Sequence, residues 1–575
     1  MLIAKGFKEE ELAAEQIRHL RNLSRAARAD VLKMARLAGR PRVGGSLSSV
    51  DILVTVLGAG NFRAGQPDDP KRDRLVLGHA HTAPALYAAL GRFDFFDLDD
   101  AIALFQKAGS VFEAAPDRTV PGVEWTAGGL GMSLSAACGF ALGTRIRGIK
   151  GNVFVVMSDG EQNKGQVAEA RRFAKRARLN NITAIVDFNT PQSGVRAVEL
   201  SAQNLKHEYI ADGWDVIEIP GHDHGELYKA LRRAIQIQSA PVLVLAHTTL
   251  GSGVSFLEQN LEYQERPLTE AEYDEAIREL RADGDLAEAE DYRNAFGEFD
   301  LDIEEEREET PVPQTGTPAT YPASKPMDPR VAAGETLADV GRRNRGDGAT
   351  PIALVDAGAH PALTAGFARE NRENFVPFGV QDHAAATAAG ALSLEGVVTV
   401  FASSAMFGLD AAYHQLRVDD INRTHLKVVL TDLGLDAGPD GKGSQCTDFV
   451  GLADNLYGFR SVFPADANQA DRVLRYVLAQ PGNWLVGIGG GQGQVVPDEK
   501  GKPFFAGSYE FRYGRVDLVR PGDHGVIVTT GPMLTLALQA WKVLKAEKMA
   551  PSILHVACPK TLDDCSDPVL LQCLR

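Results

Sequence analysis

The sequence predicts an α/β protein with two doubly wound parallel-sheet domains and a partial α/β domain at its end. Short apolar runs rich in Val and Ile recur through the first half, separated by stretches of helical periodicity. Buried parallel strands have this composition. A second series of the same kind begins near residue 350. Between the two, from Asp283, the chain turns acidic and then rich in Pro, Thr and Ser, as in DGDLAEAEDYRNAFGEFDLDIEEEREETPVPQTGTPATYPASKP. Such a stretch reads as a linker with some helix at its start.

The first 39 residues carry charges too often for a signal peptide, and Leu and Ala at helical spacing indicate an amphipathic helix. VFVVMSD, ending at Asp159, ITAIVDF, ending at Phe188, and VLVLAHT, ending at Thr248, are strands. GQVAEARRFAKRARLNN between the first two is a helix, which makes a right-handed βαβ unit. IALVDAG, VVTVFASS, LKVVLTD and WLVGIGG are the strands of the second series. GVIVTTG, a helix through MLTLALQAWKVLKAEKM and SILHVACP begin a third, and the short helical LLQCLR ends the chain. The expected divisions are 1–310, a linker over 311–327, 328–500 and 501–575.

A length of 575 residues allows three or four domains at roughly 100–200 residues each. Hydrophobic residues at 44% and charged residues at 24% are a globular balance. The net charge of -16 argues against a nucleic-acid partner. No apolar run approaches the ~20 residues that span a membrane. The five cysteines form no CxxC pair, which disfavours a disulfide framework or a zinc site and suits a reducing, cytoplasmic setting.

The most informative stretch is SDGEQNKGQVAEARRFAKRARLNNITAIVDFN. Asp159 ends one strand, Gly160 turns the chain into the following helix, and Asn189 closes the next strand thirty positions on. Side chains at the carboxyl ends of parallel strands face one crevice. A carboxylate and an amide oxygen suit Mg2+, which also recruits phosphate oxygens. Ca2+ or Mn2+ would satisfy the same donors. A helix start after Gly160 favours a diphosphate. DG alone marks any βα turn; DGE, a helix, NN, a strand and DFN in this order are far more specific.

These residues match the thiamine-diphosphate signature that opens GDG, with Ser158 in place of the first glycine. The chain resembles the transketolase family, closest to forms built from two shorter polypeptides, here joined in one. The resemblance implies a thiamine-diphosphate-binding fold, thiamine diphosphate with Mg2+, and a homodimer with active sites at the subunit interface. GGSLSSVDIL resembles the family's N-terminal helix start. DPKRDRLVLGHAHTAPALYAAL places His81 beside the diphosphate, and PGVEWTAGGLGMSLSAACGFALG places Gly128 and Leu130 over the aminopyrimidine. By the same resemblance Asp159, Asn189 and Pro191 hold the metal, and Gly160 and Glu161 touch the cofactor. Phe407, in FASSAMFGLDAAYHQLR, stacks on its ring, and Asp440 and Ser444, in GPDGKGSQ, sit in a substrate loop. Asp382, in FGVQDHAAATAAGAL, stands where the family carries its activating Glu.

Activation needs an acid on the pyrimidine nitrogen N1′, so that the imino tautomer removes the C2 proton. Asp382 has one methylene fewer than Glu, and a ~1 Å misplacement can cost about a hundredfold. Where the family has substrate-side histidines, this chain has Arg42, Ser110, Ser444 and Gln264. His81 survives, with His79 and His247 (in LAHTTLG) as further candidates. Those losses remove groups that titrate near neutral pH, and Arg42 is suited to a carboxylate or phosphate. The expected reaction is transfer of a two-carbon ketol unit from a ketose to an aldehyde, with Asp382 and His81 catalytic and Arg42, His247, Asp440 and Ser444 on the substrate. The substrates would be ketose and aldose phosphates. A 2-oxoacid decarboxylase or carboligase on the same scaffold, and a catalytically silent transketolase-like binding protein, are the alternatives. Retention of Asp159, Asn189 and Asp382 argues against the silent one.

Overall fold

The computed structural model describes residues 3–67, 69–189, 204–297, 310–346, 348–491, 493–564 and 566–574. It separates into two compact units, Met1–Arg307 and Glu308–Arg575.

In the first unit, β1 (Arg74–Leu77), β2 (Val153–Ser158), β3 (Ile182–Phe188), β4 (Asp215–Pro220) and β5 (Val242–His247) form one parallel sheet. Its order is β1-β2-β3-β5-β4. β4 lies at the sheet edge and is mostly accessible, so it has no apolar run to betray it. The register sets Ser158 opposite Asp187 and Phe188 opposite His247, so the carboxyl ends of β2, β3 and β5 are flush. Helix Val43–Ala59 is buried on nearly every side, as expected for an apolar segment inside a core. Its one charged residue, Asp51, receives Arg28 through two hydrogen bonds (Nη2 2.6 Å, Nη1 3.2 Å) and His222 through Nδ1 at 2.8 Å. Burial alone would raise the Asp51 pKa; the Arg28 charge and the histidine hydrogen bonds overcome it and hold the carboxyl well below its usual value.

The helix read over GQVAEARRFAKRARLNN does begin at Gly165, so its start lies five residues beyond Gly160 and not directly after it. A 3-10 turn, Gly160–Asn163, comes first, and the α-helix is Gly165–Arg176. Gln162 pins the turn: its Nε2 donates to the Ser158 carbonyl at 3.1 Å, and its Oε1 accepts from the Tyr209 hydroxyl at 2.9 Å. Lys164 is then extended before the helix begins.

The second unit holds a six-stranded parallel sheet. Its strands are β6 (Ile352–Ala357), β7 (Phe375–Pro377), β8 (Val398–Ser404), β9 (Lys427–Thr431), β10 (Arg460–Val462) and β11 (Trp484–Gly487), in the order β10-β11-β9-β8-β6-β7. A further sheet joins β12 (Val516–Arg520), β13 (Val526–Thr529) and β14 (Ser552–Val556), with β12 antiparallel to β14. The edge strands β7 and β10 have three residues each, too short for a periodic signal. Part of the Pro-rich stretch is tied down within this unit: Ala319 N donates to Asp471 Oδ2 at 3.0 Å and Tyr321 N to Asn468 Oδ1 at 2.9 Å. Cys138, Cys446, Cys558 and Cys573 are free thiols. Among the described residues no helix is long and apolar enough to cross a membrane.

Helix Asp382–Ser393 packs against helix Tyr413–Ile421 through a glycine. A Cβ at Gly390 would lie 2.0 Å from Asp419 Oδ1. Asp419 is fully buried, and neither carboxyl oxygen has a hydrogen-bond partner among the described residues. Burial, then Asp420, pushes its pKa well above the usual value. A folded pKa above the unfolded one means that stability present below the ordinary carboxylate range is lost as pH rises toward the folded value. Asp419→Asn is therefore expected to raise the Tm near neutral pH. The gain should shrink as pH falls to about 4, and thermal melts across that range check both the sign and the trend.

Candidate functional site

The centre of the first unit's site is Asp187 on β3, a fully buried carboxylate. Ser48 and Ser49 donate to its Oδ2 at 2.7 and 2.5 Å, and Thr248 donates to Oδ1. Burial raises the Asp187 pKa, and the hydroxyls of Ser49, Thr248 and Ser48 oppose that shift. Two residues on, Asn189 donates from Nδ2 to Ser48 Oγ at 3.0 Å. The amide nitrogen is thereby committed, which leaves the carbonyl oxygen as the atom for a metal. Asp159, beyond the end of β2, accepts from Gly160 N at 2.7 Å through Oδ1. A carboxylate and an amide oxygen on neighbouring strands fit Mg2+, which is typically held by one or two protein groups plus phosphates and water. Among the described residues no group of three or more His, Cys, Asp or Glu side chains is arranged to hold a metal. Pro191 lies outside the described residues.

Glu161 is fully buried beneath the Gly160 turn. Ser133 donates to its Oε1 at 2.9 Å, and Oε2 has no partner among the described residues. Burial pushes its pKa up to about 8. It stands as a neutral acid near neutral pH. Gly78, after β1, makes room for it: a Cβ there would lie 2.5 Å from Glu161 Oε1 and 2.6 Å from Ser133 Oγ.

His79 is buried, with Nε2 at 3.0 Å from Ser49 Oγ. Burial, then the nearby His81, lowers its pKa to about 3. The His81 ring lies 5.9 Å from that of His79 and is accessible to solvent. Desolvation, then the Arg42 charge, keeps it below the usual histidine value. Arg42 is exposed and adopts φ 69° at the start of helix Val43–Ala59. His247, at the end of β5, is tied to Glu218 Oε1 at 2.8 Å and meets the edge of Phe188. Ser110 donates its backbone N–H to the Lys107 carbonyl and accepts Phe112 N at Oγ, while Gln264 accepts Arg42 Nε at its carbonyl, 3.3 Å away. Gly128 and Leu130 are exposed in the loop that leads into helix Ser133–Ile146.

In the second unit the expected residues follow β9, β8 and β7, of which β9 and β8 are neighbours and β6 separates β8 from β7. Asp382 follows β7 as the first residue of helix Asp382–Ser393 and is half-buried. Phe407 follows β8 in a π-helical turn, Met406–Ala411, and is 44% exposed. Asp440 and Ser444 follow β9 in two short 3-10 turns, Gly438–Asp440 and Lys442–Ser444. All three loops stand at the carboxyl edge of one parallel sheet, where ligands bind in open α/β folds.

Sequence reasoning gave no role to Ser48, Ser49, Asp187, His222 or Thr248. The GGSLSS segment and the Asp two residues before Asn189 were visible signals, but nothing in one dimension joins a helix start to a strand end.

The family model described as "Transketolase, thiamine diphosphate binding domain" matches residues 18–291. A 6-deoxy-6-sulfo-D-fructose transketolase subunit from Clostridium sp. (strain MSTE9) is 34% identical over 253 residues, 43% of this chain and 90% of that protein. Transketolase-like protein 2 from Homo sapiens is 24% identical over 506 residues, 87% of this chain and 78% of that one. Among solved structures, transketolase from Leishmania mexicana aligns with TM-score 0.83 at 20% identity, covering 96% of this chain and 88% of that chain.

The Asp187 cluster has a measurable consequence without any ligand. Asp187→Ala leaves three hydroxyls without their acceptor and should destabilise the protein by at least about 1–3 kcal/mol. Ser48→Ala removes one donor and should cost less. Chemical denaturation of the two variants tests that ranking.

Proposed function

The chain belongs to the transketolase family, and on that premise we propose that it transfers a two-carbon ketol unit from a ketose donor to an aldehyde acceptor. The observation that carries this reading is the pairing of Asp159 and Asn189 at flush strand ends, with the Asn189 amide turned by Ser48. In this reading Asp159 and Asn189, with Pro191, would hold Mg2+, which would supply positive charge to the diphosphate. Gly160, the neutral Glu161 and His81 receive the diphosphate side; Gly128, Leu130 and Phe407 receive the rings. Thiamine diphosphate, when bound, supplies a nucleophilic carbon and an electron sink.

The remaining work belongs to the chain. Asp382 holds a proton at the pyrimidine nitrogen from the start of its helix. His81, kept neutral by its surroundings, offers both a donor and an acceptor to a substrate hydroxyl. Arg42, His247, Asp440 and Ser444 orient the substrate. The family's arrangement implies a homodimer with sites at the subunit interface and sugar-phosphate substrates, and the cysteine usage suits a cytoplasmic location. Arg42 in place of a histidine also supports a second reading, a carboligase that takes 2-oxoacids, because a guanidinium pairs with a carboxylate.

Titrating the apo protein with thiamine diphosphate and Mg2+, followed by circular dichroism and fluorescence, tests the cofactor reading. Saturable binding that Asp159→Ala weakens about a hundredfold is expected, as for loss of a metal ligand whose supporting shell alone is worth 10–100-fold. Adding hydroxypyruvate should then change the signal. A response to pyruvate alone would select the carboligase, and no cofactor binding would overturn both.

A further inference from the structure

We propose that a pocket between the end of helix Ala14–Ala38 and the start of helix Val43–Ala59 binds an oxyanion group, a phosphate, sulfonate or carboxylate, borne by the substrate. The choice of a substrate as bearer rests on the transketolase-like reading above; the anion site itself rests on the geometry of the first unit. The pocket holds about 100 Å3, several times the roughly 10–15 Å3 that lodges one water. Val31 and Phe105 supply apolar wall, while Arg40, Arg42, Ser46 and His81 supply polar groups. Among the described residues no carboxylate lines it.

The local chain explains why two arginines meet there. Helix Ala14–Ala38 stops at Gly39 in the left-handed conformation, φ 62°, and the Arg40 N–H closes on the Ala35 carbonyl at 2.9 Å. Three residues after Gly39, Arg42 takes φ 69°, a conformation disfavoured for any residue with a Cβ. Two bonds hold it: Arg42 N to the Tyr263 carbonyl at 2.9 Å, and Nε to the Gln264 carbonyl at 3.3 Å. The second also anchors the guanidinium by its inner nitrogen. Its two terminal nitrogens make no hydrogen bond or ion pair among the described residues, and neither does the Arg40 guanidinium. In a chain of net charge -16, two arginines without a counter-charge beside one cavity call for an external anion.

Neighbouring features favour the same ligand. Helix Val43–Ala59 starts without a side-chain cap, and the positive end of a helix favours an anion. Ser46, in its first turn, lines the pocket. His81 is held neutral beside Arg42 and offers a hydrogen bond rather than a competing charge. The pocket shares only His81 with the expected cofactor set: none of its lining residues comes from β2, β3 or the Gly160 turn. It is therefore distinct from the crevice of Asp159 and Asn189.

Calorimetric titration of inorganic phosphate into the full chain tests the site, first in the apo protein and then after loading with thiamine diphosphate and Mg2+. One saturable site is expected, kept on loading and kept in Asp159→Ala. Arg42→Ala and Arg40→Ala should each weaken it about tenfold, the loss of one charged hydrogen-bonded partner. Arg42→Lys should fall between, since an ammonium lacks the guanidinium fork. In turnover, Arg42→Ala should raise KM for a phosphorylated ketose several-fold more than KM for uncharged erythrulose. A flat isotherm, displacement of phosphate by the cofactor, binding indifferent to both arginines, or an equal KM change for both donors would overturn the proposal. Failure of cofactor uptake with arginine-dependent phosphate binding intact would overturn the reading in the previous subsection and support the anion site.

Discussion

Asp187 is the constraint around which the first unit's site is built. A carboxylate with no exposure is costly unless its oxygens are satisfied, and here three hydroxyls from two different elements do so. Ser48 and Ser49 bring the first turns of helix Val43–Ala59 to β3, and Thr248 brings the segment after β5. Ser49 also reaches His79 beyond β1, and Ser48 reaches Asn189. One buried charge thus sets the mutual positions of four chain segments, and through Ser48 it decides which end of the Asn189 amide is left for a ligand.

The second unit reaches a similar edge by other means. Helix Asp382–Ser393 is largely alanine and glycine, so it packs close to its neighbours, and Gly390 accepts the Asp419 carboxyl against its backbone. That carboxyl has no partner among the described residues, and burial, then Asp420, raises its pKa well above the usual value. Polar satisfaction organises the first unit, whereas close packing organises this helix pair. Phe407 then stands in a turn after β8 and Asp382 at a helix start after β7.

The departures from the family pattern fall unevenly. Asp159 and Asn189 follow the ends of β2 and β3, and His81 lies in a 3-10 turn after β1. Arg42 occupies a strained link between two helices, secured by backbone carbonyls near Tyr263 and Gln264. A histidine there would be a titrating, short-reach group; an arginine is permanently charged, long and planar. The electrostatic consequence is visible at His81, whose protonated form is disfavoured by desolvation and by that guanidinium.

The apolar runs determined β2, β3, β5, β6, β8 and β9 because a strand buried on both faces must be apolar throughout. They could not mark β4, β7 or β10, which lie at sheet edges or are only three residues long. The spacing of Asp159 and Asn189 was legible because strand, helix and strand fix where two carboxyl ends fall. The Gly160 turn was not, since a 3-10 segment is selected by Gln162 bonding to Ser158 and Tyr209, the latter distant in the chain. The role of Asp187, the buried state of Glu161 and the meeting of Arg40 and Arg42 at one cavity were likewise decided only by the tertiary structure. A residue's type sets what it can bond and what charge it can carry, but its partners and its dielectric surroundings exist only once remote segments are brought together.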